Sequence, residues 1–273
     1  MVESVYISVD FEGMEGVVSS RQLTEGTPEY SIACQRLTED VNAAIEAALA
    51  AGSRRVVVCD GHGFGENILL DRLNPEAELI SGPLCTSLQL QGIGPEFDAM
   101  VVFGHSGAGL SVDGVLNHSY SGKKVYNIRL NGTTMNTEAV LNAAEAGSHG
   151  VPLVTMIGDM AAVSEVRQHI PAVERVVVKR GFTRNAAISV HPEIARPLIR
   201  EGVARGLARR DEIPPFRLAP PIAMELDYMN SGFADVAELV PGVKRIGPRT
   251  VHYSGEPETV FRLLALLVLH VGA

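Results

Sequence analysis

Val5-Tyr6-Ile7-Ser8-Val9-Asp10-Phe11-Glu12-Gly13 is an apolar run that gives way to two carboxylates and a glycine. β-branched and aromatic residues at its start read as a buried strand, and the glycine reads as the turn that follows. Side chains two apart in a strand share a face, so Asp10 and Glu12 are expected to converge. Two like charges held side by side raise each other's pKa unless a cation lies between them. A metal is therefore the first ligand to expect here.

The same layout returns twice. Arg55-Val56-Val57-Val58-Cys59 ends in Asp60-Gly61-His62-Gly63, and Ala99-Met100-Val101-Val102-Phe103 ends in Gly104-His105-Ser106-Gly107. Between these runs, residues 33–51 show helical spacing and stop at Gly52. The rhythm is βαβ. It predicts an α/β fold with a mostly parallel sheet flanked by helices. Val125 to Leu130 alternates and ends at Asn131-Gly132, which predicts an antiparallel hairpin. Further strands are expected over 151–157 and 173–179, with helices over 161–169 and 192–210.

In open α/β sheets, sites form beyond the carboxyl ends of the strands. The ends after Ile7, Cys59 and Phe103 would then face one crevice holding Asp10, Glu12, His62 and His105. Glu138 opens the apolar-periodic segment 139–144, with Asn136 or Thr137 as its N-cap, and is placed to reach the same cavity from a helix start. Mixed imidazole and carboxylate donors suit zinc, manganese or iron better than calcium or magnesium. Five such ligands exceed one tetrahedral zinc, and the natural extension is a two-metal site with a bridging carboxylate. Each residue also has an ordinary reading: Glu138 suits the helix dipole, and a histidine in a glycine turn is often only solvated. Asp60 either orients His62 or shapes its turn, and Asn117, Ser119 and Tyr120 are either donors near the reacting group or local backbone partners.

The chain has 273 residues, 46% of them hydrophobic, and a formal charge of −9. That suffices for a sizeable core and leaves no basic footprint for nucleic acid or an anionic membrane. Cys34, Cys59 and Cys85 show neither metal-finger spacing nor a disulfide framework and read as free thiols in a reducing compartment. No basic-then-apolar leader is visible, so a cytoplasmic protein is expected. Leu263 to Leu269 is too short to span a bilayer, which needs about 20 apolar residues, and reads as a buried terminal helix. Residues 211–221 contain four prolines and form the candidate linker between a main metal-binding domain over 1–210 and a smaller carboxyl-terminal section over 222–273. That section is either a subdomain or a return to the main sheet.

Taken with Asp60-Gly61-His62, Leu79-Ile80-Ser81-Gly82, Gly104-His105, Gly114-Val115-Leu116-Asn117-His118-Ser119, Glu138 and Asn142-Ala143, the opening Ser8 to Gly13 resembles the bacterial D-aminopeptidase family of the dipeptide transport operon. The resemblance runs in order over most of the chain and is best up to Gly158-Asp159. It implies a di-zinc peptidase that removes a D-amino acid such as D-Ala from the amino end of short peptides and assembles as a homodecameric ring. Carried residue by residue, it puts two zinc ions per subunit on Asp10, Glu12, His62, His105 and Glu138, with His118 as the catalytic acid or base beside a metal-activated water. The turn at His105 departs slightly: Gly104 and Gly107-Ala108-Gly109 stand where a member of the family has a bulkier residue before its histidine and an arginine soon after, which leaves the metal site alone and bears on substrate preference.

Two rival readings differ in class. A metal-dependent phosphoesterase would also use strand-end Asp and His, but its usual Asp-x-His and Gly-Asn-His-Asp or Gly-Asn-His-Glu motifs are replaced here by Asp10-Phe11-Glu12 and Asn117-His118-Ser119. A non-catalytic binding domain would use the glycine clusters as phosphate loops, yet no GxxxxGK[ST] is present and a histidine interrupts each cluster.

Overall fold

The computed structural model describes residues 2–83, 86–107 and 109–271. Cys85, expected as a free thiol, and Ala108 of the glycine-rich turn lie outside the described residues. Cys34 and Cys59 are buried and unbridged.

The chain forms β1 (Ser4–Val9), α1 (Pro28–Ala50), β2 (Arg55–Asp60), β3 (Ala77–Ile80) and β4 (Ala99–His105). There follow β5 (Val125–Leu130), β6 (Thr133–Thr134), α2 (Glu138–Ser148), β7 (Leu153–Asp159), α3 (Met160–His169), β8 (Glu174–Thr183), β9 (Ala186–Ser189) and α4 (Pro192–Ala208). The last elements are β10 (Ile222–Tyr228), α5 (Ser231–Ala237), β11 (Lys244–Arg245), β12 (Thr250–Gly255) and α6 (Pro257–Ala265), which runs on into a π-helical turn, Leu266–His270.

Seven strands make the main sheet in the order β3-β2-β1-β4-β7-β8-β9, parallel throughout except for β9, which folds back on β8. The expected mostly parallel sheet flanked by helices is the fold observed. β1, β2, β4 and β7 are buried almost end to end, as strands covered on both faces must be. α1 packs on β2 and α4, while α2 packs on β4 and β7. Thr27 caps α1, its hydroxyl accepting from the Tyr30 N–H, and Pro28 takes the first helical position, so the helix starts earlier than its apolar periodicity alone indicates.

A second, antiparallel sheet has the order β11-β12-β10-β5-β6. The hairpin expected after Val125 is its β5-β6 edge, and β10 pairs with β5 in the register Met224 to Leu130 and Leu226 to Ile128. Strands from the end of the chain and from its middle thus share one sheet. Residues 211–221 begin in a short 3-10 turn, Arg210–Glu212, and their Phe216 and Arg217 lie against the end of α2, where Arg217 Nε donates to the Gly147 carbonyl at 3.0 Å. α6 buries Val260, Phe261, Leu263 and Leu264 and packs on α2, β10 and β12. Among the described residues no helix is long and apolar enough to cross a membrane.

Strand order reverses beside β1: β2 and β3 lie on one side and β4 on the other. Ser8 is in register with Cys59 of β2 and Val102 of β4, so the three strands end together. The crevice at such a reversal is where α/β sheets place ligands.

Candidate metal centre

β1 stops at Val9, so Asp10, Phe11 and Glu12 lie in a turn and strand alternation is not what brings the two acids together. The turn itself does so. Met14 N–H donates to the Phe11 carbonyl at 3.2 Å, Phe11 N–H donates to Asp10 Oδ1 at 2.8 Å, and both acids end up facing His62. The turn is pinned to the end of β4 by Asp10 N–H on the Phe103 carbonyl at 2.8 Å and Gly13 N–H on the Gly104 carbonyl at 2.5 Å. From the other side the buried Lys179 ammonium, on β8, donates to the carbonyls of Glu12 and Val17. Its burial and these two bonds are what show its part in holding the turn.

The structure gathers all five expected ligands into one buried cluster. Two groups form, Asp10 with Glu12 and His62, and Asp10 with His105 and Glu138, each with potential ligand atoms within 4.8 Å of one another. Asp10 belongs to both. Its Oδ1 is 3.1 Å from His62 Nδ1 and its Oδ2 is 3.7 Å from His105 Nδ1. Glu12 Oε2 is 3.1 Å from His62 Nδ1, and Glu138 Oε2 is 3.3 Å from His105 Nδ1. The two remaining glutamate oxygens face a third imidazole: His118 Nε2 is 3.8 Å from Glu12 Oε1 and 3.7 Å from Glu138 Oε1. His105 is wholly buried, whereas His62 and His118 keep 16% and 18% of their side chains exposed, so the cluster opens on their side.

Its electrostatics are those of a site short of positive charge. Burial, and then the charges of Glu12 and Glu138, push the Asp10 carboxyl up to about 7. Burial would raise Glu138 too, but His105 and His118 hold it at about 2. Burial opposes charge on His62 and His118, yet the surrounding carboxylates carry both above the ordinary imidazole range. Three acidic side chains with mixed oxygen and nitrogen donors, sharing one carboxylate between two groups, fit a pair of borderline cations such as zinc.

His118 hangs from a loop whose flanking residues Leu116 and Tyr120 adopt φ of 52° and 54°, a left-handed conformation uncommon for side-chain-bearing residues. A carbonyl only accepts, so His118 Nδ1 donates to the Leu116 carbonyl at 2.9 Å, and Nε2 is the nitrogen turned to the cluster. Asn117 and Ser119 are backbone partners, Asn117 within its own loop on the Ser111 carbonyl and Ser119 across to the Asn136 carbonyl before α2. Asp60 shapes the turn rather than touching His62: its carboxylate accepts from the backbone of Asn67 and Ile68 and from Asn67 Nδ2, which in turn donates to the His62 carbonyl at 2.7 Å. Glu138 opens α2 as expected, but Thr137 caps without its hydroxyl, and Glu165 Oε1 accepts from the Thr137 N–H at 3.0 Å instead.

Sequence reasoning passed over Gln89 and Asn142, which are buried beside Glu138. Gln89 lies in irregular chain, where no periodicity could single it out. Asn142 appeared only as part of a family match; its place one helical turn after Glu138 was the usable signal.

With this geometry in view, the comparisons with known proteins converge. Residues 4–266 match the peptidase M55 family model, described as D-aminopeptidase. A D-aminopeptidase of Bacillus subtilis (strain 168) is 31% identical over 258 residues, covering 92% of this chain and 91% of that protein. The solved structure of the Zn-dependent D-aminopeptidase DppA from Bacillus subtilis, a self-compartmentalizing protease, is similar with a TM-score of 0.92 and 27% identity, covering 99% of each chain. The chain belongs to the peptidase M55 family of D-aminopeptidases and is a metallo-aminopeptidase.

Proposed function

We propose that the protein releases an amino-terminal D-residue such as D-Ala from short peptides, using two zinc ions per subunit held by Asp10, Glu12, His62, His105 and Glu138. The observation that carries this reading is the position of Asp10, one oxygen toward each group of ligands. Zinc held there would supply Lewis acidity toward the scissile carbonyl and lower the pKa of a water.

The protein's own residues do the rest. His118 Nε2, free to accept and aimed between Glu12 and Glu138, takes a proton from the attacking water and passes it to the leaving amine. The Leu116 carbonyl keeps the ring from turning. Burial of Asp10, Glu12 and Glu138 keeps bulk water from competing with substrate at their oxygens. The D-specificity follows the description of the Bacillus relatives as D-aminopeptidases, and an assembly of identical subunits follows the description of one of them as self-compartmentalizing; a decameric ring and a cytoplasmic location are the form that the family resemblance gives to that assembly.

The test is zinc per chain by elemental analysis, with release of D-Ala and L-Ala from matched dipeptides, for wild type and His105→Ala. Two zinc ions and zinc-dependent cleavage of the D-peptide support the reading; metal-free protein that cleaves, or preference for the L-peptide, overturns it. Light scattering showing a monomer would remove the ring.

A further inference from the structure

Glu138 is gripped by a closed ring of hydrogen bonds. Gln89 Nε2 donates to its Oε2 at 2.6 Å, and the Tyr120 backbone N–H donates to its Oε1 at 2.5 Å. Asn142 Nδ2 donates to Gln89 Oε1 at 2.8 Å, and the Tyr120 hydroxyl donates to Asn142 Oδ1 at 2.9 Å. An ionised carboxylate only accepts, so the direction of every bond follows from Glu138. Gln89 must turn its amide nitrogen to the acid, its oxygen must then accept from Asn142, and Asn142 is left with an oxygen that, among the described residues, the Tyr120 hydroxyl satisfies. Gln89 Nε2 also lies 3.4 Å from Asp10 Oδ2, so one amide reaches the acid shared by both ligand groups and the acid of one group. Ser8 Oγ anchors the backbone of Gln89 by donating to its carbonyl at 3.0 Å.

We propose that Gln89 is a positioning residue of the metal centre. Its amide fixes Glu138 and Asp10 where the two ligand groups meet. Through Asn142 and Tyr120 it ties their orientation to the loop that carries His118, two residues before Tyr120. Side chains that hydrogen-bond to ligands in this way set ligand orientation and so metal affinity. The inference rests on the proposed roles of Asp10 and Glu138 as ligands.

The experiment is zinc affinity by competition with a chromogenic chelator, alongside the melting temperature of the zinc-free full chain, for wild type, Gln89→Met, Tyr120→Phe and His105→Ala. Gln89→Met keeps the side chain's length and deletes its polar atoms. It is expected to weaken zinc binding about 10–100-fold while the zinc-free melting temperature stays near wild type. Tyr120→Phe removes one hydroxyl from the far side of the ring and is expected to weaken binding in the same direction; it decides the matter should Gln89→Met not fold. Wild-type zinc affinity in these variants, with affinity lost in His105→Ala, overturns the positioning role alone. Wild-type affinity in His105→Ala as well overturns the ligand assignment and this inference with it. A zinc-free melting temperature that falls in step with affinity would mark Gln89 as a packing residue only.

Discussion

Gly104 and Asp10 meet backbone to backbone: a Cβ added to Gly104 would lie 2.1 Å from the Asp10 carbonyl oxygen. Gly104 also holds φ of 76°, where a side chain is strained regardless of space. This contact seats the acidic turn on the end of β4 and so places Asp10 beside His105. Gly104→Ala is expected to cost about 1–3 kcal/mol from overpacking alone and to displace the Asp10 turn. Thermal unfolding together with zinc content checks this. Unchanged stability and full zinc would mean that the turn can move away without consequence.

His118 is the one imidazole of the cluster whose Nδ1 is committed to a backbone carbonyl, leaving only Nε2 to face the acids. His118→Ala is expected to keep zinc and to lower kcat about 10²–10⁴-fold, the range for loss of a general acid or base. The comparison is turnover of a D-Ala dipeptide at equal zinc occupancy. A variant that loses zinc in proportion to activity would make His118 a ligand instead.

Much of this architecture is legible in the sequence, and the parts that are not have a common physical cause. Apolar runs ending in Asp10, His62 and His105 are readable because buried parallel strands demand continuous apolar chain and their ends demand glycine. Pairing between distant segments leaves no such local trace. That β10 lies against β5, so that the end of the chain completes a sheet begun at Val125, depends on packing. Gln89 is invisible for the same reason, since a polar residue in irregular chain acquires meaning only when Asn142 and Glu138 arrive beside it. Even the convergence of Asp10 and Glu12, anticipated from strand alternation, arises from a turn closed by Phe11 and Met14.

Chelation offers a test that needs no substitution. In the absence of cations the buried Asp10, Glu12 and Glu138 face one another with histidines and the neutral Gln89 amide between them. A ligand that binds only the folded state stabilises it by about 2.7 kcal/mol at one hundred times its dissociation constant. Scanning calorimetry with and without a strong chelator should therefore show a melting temperature several degrees lower after zinc removal, restored by added zinc. A transition indifferent to zinc would argue that no cation is held by the folded cluster.

Away from the cluster, Glu15 and Asp40 form a second acidic pair, both buried, with no hydrogen-bond donor among the described residues for Glu15 Oε1, Glu15 Oε2 and Asp40 Oδ2. Two acceptors packed together require a proton. Burial, then the neighbouring Asp40, pushes the Glu15 carboxyl up to about 9, and burial raises Asp40 as well, against Arg196, whose Nε donates to Asp40 Oδ1 at 2.8 Å. A carboxyl with a raised folded-state pKa binds more protons folded than unfolded. Its stabilising contribution is therefore whole below the unfolded value near 4.5 and is lost as pH rises through about 9. Glu15→Gln, which carries a permanent donor, should flatten that decline, so unfolding free energies of wild type and variant should diverge in the variant's favour between about pH 4.5 and about pH 9 and run parallel above it. Profiles parallel over that range as well would show that the Glu15 carboxyl ionises in the folded state as it does in water, and that no proton is shared with Asp40.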